Sequence, residues 1–359
     1  MVTYFRWPLI VTFTGILLGG WIGWIYTSTL EGALSYAFIC AVLGIFEISL
    51  SFDNAIVNAN KLKTMTPVWQ RRFLTWGILI AVFGMRIIFP VAIVSIAAQI
   101  GPVAAVSLAI SDPAGYAQIM EGAELSILAF GGTFLMMVGL GFFFDAEKEV
   151  HWVHFIESRV SRVTGVLGID TFITLLAVVI FVSFVPEAEK LTAISSALYG
   201  LLTFISVKIL GDMLDAASGG DRTIGKDSTE FIAKGGFGAF LYLEMLDASF
   251  SFDGVIGAFA ISQNLFIIAI GLGIGAMYVR SMTIMLVELG TLAEYRYLEH
   301  GAFYAILLLS LIMFAQTQIH VPEVITGLFG VGFIGVALLS SVRFKRLQKD
   351  HQTHPRHKP

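Results

Sequence analysis

Glu47-Ile48-Ser49-Leu50-Ser51-Phe52-Asp53 lies inside the apolar run 34–58, and Asp247-Ala248-Ser249-Phe250-Ser251-Phe252-Asp253 lies inside the run 237–262. Four of the seven positions are identical, and both strings open on an acid. A second match follows each string. Gly77 precedes Arg86 by nine residues and Gly271 precedes Arg280 by nine, each time in the next apolar run. Two matches in the same order, both placing charge inside apolar segments, read as an internal repeat.

The rest of the chain says what kind of protein holds that repeat. Of 359 residues, 57% are hydrophobic and 13% charged, whereas a soluble protein runs about 45–50% apolar and about 25% charged. Mean hydropathy is +0.83. This excludes a disordered chain, a nucleic-acid binder built on basic patches and an ordinary soluble enzyme. The net charge of −4 is too small to imply a polyanionic partner. The lone Cys40 excludes an intrachain disulfide framework and any multi-cysteine metal site. What remains is a polytopic protein of the lipid bilayer.

Long continuous apolar runs fit helices, whereas a membrane barrel needs short alternating segments. The expected fold is all-α, with ten transmembrane helices over roughly 8–26, 34–58, 73–99, 125–144, 165–185, 193–211, 237–262, 264–288, 302–319 and 322–342. Residues 1–30 read as a retained anchor helix, 31–211 as a first membrane half and 212–236 as a solvated linker. Residues 237–342 read as the second half, and 343–359 as a basic tail.

Lys61, Lys63, Arg71 and Arg72, then Lys148, Arg159 and Arg162, then Arg222, Lys226 and Lys234, then Arg296, and finally Arg343, Lys345, Arg346 and Lys349 occupy alternate loops. The intervening loops are poor in Lys and Arg apart from Lys190, and 100–124 has none. The positive-inside rule then puts both termini in the cytoplasm of a cell inner (plasma) membrane protein. The strings lie on the second and seventh spans, an odd step of five, so the copies run in opposite directions. Inverted repeats with a midplane site between them are common in secondary transporters.

Glu47, Asp53, Glu244, Asp247, Asp253, Arg86 and Arg280 fall within the expected spans, where each charge costs about 2.5–3.5 kcal/mol on insertion scales and needs a partner or water. Two arginines cannot neutralise five carboxylates, so the surplus is protonated, solvated or holding a cation. Residues six apart on a regular helix are about 240° apart, so Glu47 and Asp53 share no face unless the helix breaks. Ser49, Ser51 and Gly254 are the expected sites of irregular backbone. Inverting one copy pairs the acids crosswise, Glu47 with Asp253 and Asp53 with Asp247. Glu244, three residues from Asp247, shares nearly the same face. The carboxylates, Asn54, Asn58, Ser51 and Ser251 are hard oxygen donors, suited to Mn²⁺, Mg²⁺ or Ca²⁺. Arg86 and Arg280 are expected to pair carboxylates and fasten each half.

At these residues, Glu47 to Ala55 and Glu244 to Asp253 followed by Ala258 to Ser262, the chain resembles the TerC family of integral membrane proteins, within the wider LysE-type transporter grouping. Phe144 to Trp152 and Tyr297 to Gly301 resemble an uncharacterised branch of that family. The resemblance covers roughly spans two to nine. It implies export of a divalent metal, chiefly manganese, as substrate, with a link to tellurium-ion resistance. The candidate ligands it implies are Glu47, Asp53, Asn54, Glu244, Asp247 and Asp253. No resident cofactor and no enzymatic reaction are expected. Gly254 departs from the family's usual second motif, where many members carry Ser.

His151 and His154, with Asp145, Glu147 and Glu149, are expected on a solvated amphipathic helix rather than in a metal sensor. His351, His354 and His357 lie in the tail, and Glu121 and Glu124 in a polar outer loop. Leu210-Gly-Asp212 lacks the full signature of an intramembrane aspartyl protease. The two rival functions are such a protease, using Asp53 and Asp253, and a non-transporting membrane component of a metal or tellurium-ion resistance complex.

Overall fold

A computed structural model of the protein describes residues 2–77, 79–145, 148, 150–160, 168–217, 236–290, 295–319 and 321–353. All regular structure among them is helical. Eight helices are long and apolar enough to cross a membrane, the make-up of a multi-pass membrane protein. They are α1 (Val2–Thr27), α2 (Leu30–Leu50), the helical span from Pro67 to Ala97, α8 (Glu124–Phe143), α11 (Lys190–Ala217), α13 (Leu265–Glu288), α14 (Leu298–Gln316) and α15 (Glu323–Thr353). Two of the ten expected spans fall outside this set. Span 165–185 becomes α10 (Ile169–Phe184), only 16 residues long. Span 237–262 becomes α12 (Phe237–Ile261), which is long enough but carries Glu244, Asp247 and Asp253.

The predicted break in the second span is present. α2 stops at Leu50, Ser51 takes φ −103 and ψ 17, and α3 (Phe52–Thr64) follows. The corresponding break expected at Gly254 is not: α12 runs unbroken through it. The third span is irregular. It contains α4 (Pro67–Arg72), π-helical stretches at Phe73–Gly77 and Ile80–Ile88, and α5 (Phe89–Ala97). Short π-helical segments often mark functional sites, because they disturb the regular hydrogen-bond ladder. Here one carbonyl in each stretch takes a guanidinium: Ala81 O accepts from Arg86 and Leu74 O from Arg280.

Segment 100–124, read as a connection between two spans, forms α6 (Pro102–Ser111) and α7 (Pro113–Gly122). A proline opens each, and Asp112 caps α7 by accepting from Gly115 N at 3.0 Å. Tyr116, Ala117 and Met120 of α7 are buried. The expected linker also starts later than composition suggests. α11 continues to Ala217, and 218–235 lies outside the described residues.

The main core gathers Leu43 and Ala55 of the second span, Leu128 and Phe134 of α8, Leu246 of α12, Ile267 of α13 and Phe303 of α14. Large apolar side chains such as Trp7, Phe13, Phe172 and Leu191 point outward, as a lipid-facing surface requires. α2 and α13 meet through small residues. A Cβ at Gly275 would sit 2.4 Å from Glu47 Cβ, and one at Gly271 would sit 2.4 Å from Leu43 Cβ. Close backbone approach of this kind is how apolar helices associate without a hydrophobic driving force.

A polar cavity between the repeated strings

Equivalent positions of the two strings converge. Glu47 and Ser51 from the first, and Asp247 and Ser251 from the second, line one cavity of about 40 Å³, together with Asn54 and Asn58 of α3. Arg86 and Arg280, the matched arginines, line it as well. A water needs about 10–15 Å³ of such space, so the cavity has room for a few waters.

The first string supplies an ion pair. Arg86 donates to Glu47, and Ser51 Oγ donates to the same Oε1 at 3.0 Å. Glu47 and Arg86 are 3% and 2% exposed, so each depends on the other for compensation. Glu47 also reaches the second string: a Cβ on Gly254 would lie 3.1 Å from Glu47 Oε2.

Asp247 is held differently. The side-chain amides of Asn54 and Asn58 both donate to its Oδ1, the latter at 3.2 Å. The carbonyl oxygens of the same two amides are buried and have no hydrogen-bond partner among the described residues. Buried polar atoms are nearly always paired, so two orphaned acceptors beside a carboxylate call for an explanation. Thr283 Oγ1 lines the cavity too, donating to Val279 O at 3.0 Å.

Arg280 does not pair a carboxylate among the described residues. Its guanidinium donates to Leu74 O, and its Nε is buried without a partner. The expected role of fastening by ion pair therefore holds for Arg86 and fails for Arg280, whose reach is taken up by a π-helical carbonyl. Formally, the lining carries two carboxylates (Glu47, Asp247) and two guanidiniums.

The expected crosswise pair of Asp53 with Asp247 is not formed. Asp53 is buried on the other side of α3, in a separate cavity of about 20 Å³ with Leu50, Phe250, Leu309, Thr326 and Gly330. One helical step of about 100° separates it from Asn54, and that step turns it away. Asp253 lies on α12, but its side chain is outside the described residues, so its pairing with Glu47 is too. Glu244 is buried, with Oε1 unpartnered. It presses on the cavity wall at Gly77, where a Cβ would lie 2.6 Å from that oxygen. Among the described residues, no three His, Cys, Asp or Glu side chains gather as a ready metal cluster.

One site was missed in the sequence. Glu157 is 2% exposed on α9 (His154–Val160), where a solvated helix is expected. It accepts from Lys148 Nζ at 2.8 Å, Val153 N at 3.1 Å and Tyr304 Oη at 3.1 Å, with His151 and His300 each at 3.5 Å. Burial works to raise its pKa, but the Lys148 ammonium, the Val153 N–H and His300 together hold it below the usual carboxylate range. Its partners come from 148–153 and α14, a long-range meeting that local pattern does not signal. Glu147 and Glu149 lie outside the described residues.

A family model described as "Protein of unknown function (DUF475)" matches residues 52–348, so the chain belongs to that family. No curated protein and no solved structure matches it.

Proposed function

We propose that the protein is a membrane transporter exporting a hard divalent cation, Mn²⁺ favoured, by alternating access. The observation that carries this reading is the Asp247 carboxylate flanked by two buried, unpartnered asparagine carbonyls on a cavity where both strings meet. Donors of that kind suit Mn²⁺, Mg²⁺ or Ca²⁺. The ion would keep part of its water, since the carboxylates near it are too few to strip it. Asp247, Asn54 and Asn58 would bind it, with Ser51, Ser251 and Thr283 as lesser oxygens. Glu244, three residues from Asp247, would supply the second negative charge. The Glu47–Arg86 pair braces the cavity and, being neutral as a pair, adds no net charge to the site.

The same reading includes ten spans in two oppositely threaded halves, in an inner (plasma) membrane with both termini cytoplasmic. α10 and α12 supply the ninth and tenth spans: α10 is apolar though short, and α12 keeps its acids inside the bundle, where a polar helix crosses without meeting lipid. Two reciprocal contacts support the inversion: Gly77 of the first copy packs against Glu244 of the second, and Gly271 of the second packs against Leu43 beside the first string. Coupling to protons is part of the proposal, since crowded carboxyl groups exchange protons for metal.

The test is flux of Mn²⁺, Mg²⁺ and Ca²⁺ into proteoliposomes holding the full chain, with and without a pH gradient. Wild type is expected to move Mn²⁺ fastest, and Asp247→Asn is expected to lower that flux by at least about tenfold, the factor that about 1.4 kcal/mol of lost binding supplies. No flux in wild type, or equal flux in Asp247→Asn, overturns the reading.

A further inference from the structure

Two other cavities lie among the described residues. The larger measures about 180 Å³ and is lined by Asp145, Asp170 and Glu299, but Lys61 and Lys208 line it too, so its charges offset one another. The smaller, of about 20 Å³, holds Asp53, and none of its lining residues is basic.

Asp53 is 4% exposed. Among the described residues its carboxyl accepts a single bond from another residue, Asn54 N at 2.9 Å. A buried carboxylate so placed needs a positive partner. The facing wall is α15. A Cβ on Gly330 would stand 4.0 Å from Asp53 Oδ2, so the glycine leaves that oxygen an open approach. Thr326 precedes Gly330 by one turn and shares its face of α15. It lines the same cavity and is 7% exposed, and its buried Oγ1 has no hydrogen-bond partner among the described residues. The end of α2 is a third source of oxygen. That helix stops at Leu50, which lines the cavity. Ser49 O faces α15, 3.5 Å from where a Cβ on Gly327 would be. The carbonyl end of a helix carries partial negative charge, and where a spanning helix is interrupted such ends hold Na⁺ in secondary transporters.

We propose that this cavity is a site for one dehydrated monovalent cation, Na⁺, held by the Asp53 carboxylate, the Thr326 hydroxyl and the carbonyl end of α2. The space takes one water-sized occupant, and an ion that has shed its water is no larger. One acid matches one positive charge, whereas a divalent ion would keep an uncompensated charge among Leu309, Ile312 and Phe329. The site is bound to the central one through the backbone. Leu50 and Ser51, Asp53 and Asn54, and Phe250 and Ser251 are neighbours in the chain, and in each pair the first lines the small cavity and the second the central one. Filling one cavity therefore fixes the backbone that shapes the other. That effect on the central site rests on the transporter reading. The Na⁺ site itself does not.

Radioactive Na⁺ is the probe, bound at equilibrium to the purified full chain in detergent, without divalent metal and with choline chloride holding ionic strength constant. Wild type is expected to show saturable binding of one Na⁺ per chain. Thr326→Val keeps the shape of the side chain and removes only the hydroxyl. It should weaken binding by about tenfold, the scale of losing one polar contact to a charged group. Because that hydroxyl has no partner, the variant is expected to unfold no earlier than wild type, so a weakened site is not a weakened fold. Asp53→Asn should abolish binding, and Asp247→Asn should leave it unchanged. No saturable binding in wild type, wild-type affinity in Thr326→Val or Asp53→Asn, or loss of binding in Asp247→Asn overturns the site. If Na⁺ binds as expected but wild type moves no Mn²⁺, the transporter reading falls and the site stands. Mn²⁺ flux without Na⁺ binding does the reverse.

Discussion

Arg86 and Arg280 occupy matched positions and have different fates. Arg86 is spent on Glu47, with a second bond to its own span at Ala81 O. Arg280 crosses to Leu74 O and leaves Asp247 to two amides. Removing one partner of a buried pair strands the other's charge, at a cost of about 3–5 kcal/mol. Arg86→Gln is therefore expected to lower the thermal unfolding temperature sharply, and adding Glu47→Gln to restore much of it. Arg280→Gln strands no carboxylate and should cost far less. Differential scanning fluorimetry of the four purified proteins measures this. Equal losses for Arg86→Gln and Arg280→Gln would contradict the assignment of the ion pair. Of the individual residues, Glu47, Asp247, Ser51, Ser251 and both arginines were legible in sequence as charge or hydroxyl repeated inside apolar runs. Asp53 was legible as buried but not by direction, because one residue of helical rotation sends it to another cavity.

At the level of elements, the site depends on how closely α2 and α13 approach. Gly271 and Gly275 leave no room for a methyl group. Gly275→Ala must push against Glu47 Cβ and the Gly44 carbonyl, the latter 2.9 Å from the added carbon. Overpacking of that kind costs about 1–3 kcal/mol, and here it also displaces Glu47 from Arg86. Gly275→Ala is expected to abolish Mn²⁺ flux while the protein still inserts, whereas Gly335→Ala, which meets nothing within 4 Å, should behave as wild type. Flux per inserted molecule, with insertion followed by quantitative immunoblot, separates the two. The break at Ser51 was legible because two serines interrupt an apolar run next to charges. The π-helical turns were not. Each holds a carbonyl that takes a guanidinium, and one of those, Arg280, comes from a helix about 200 residues away.

For the whole molecule, alternating basic loops make a specific claim. They predict that both termini lie on one side, the side of Lys61 and Lys148. A green fluorescent protein fused after residue 359 is expected to glow, and alkaline phosphatase at the same place to be inactive. Phosphatase activity there would overturn the cytoplasmic placement of the C-terminus. The eight long apolar helices do not decide this alone, since α10 is short and α12 is charged. α10 misses the set by length and α12 by its three acids, so length and hydropathy together do not fix the count.

Several features of this protein were determined by its sequence alone: a helical membrane body, the two acidic strings, the break at Ser51 and the residue types able to hold a hard cation. These follow from local causes, namely apolar length, periodicity and the cost of charge in lipid. Tertiary structure decided which acids meet. It turned Asp53 away, gave Asp247 two amides in place of a carboxylate, aimed Arg280 at the Leu74 carbonyl, buried Glu157 and opened the larger cavity around Glu299. Each of these depends on helix rotation and on contacts between residues far apart in the chain, and a residue's neighbours in space are set by packing rather than by its place in a string.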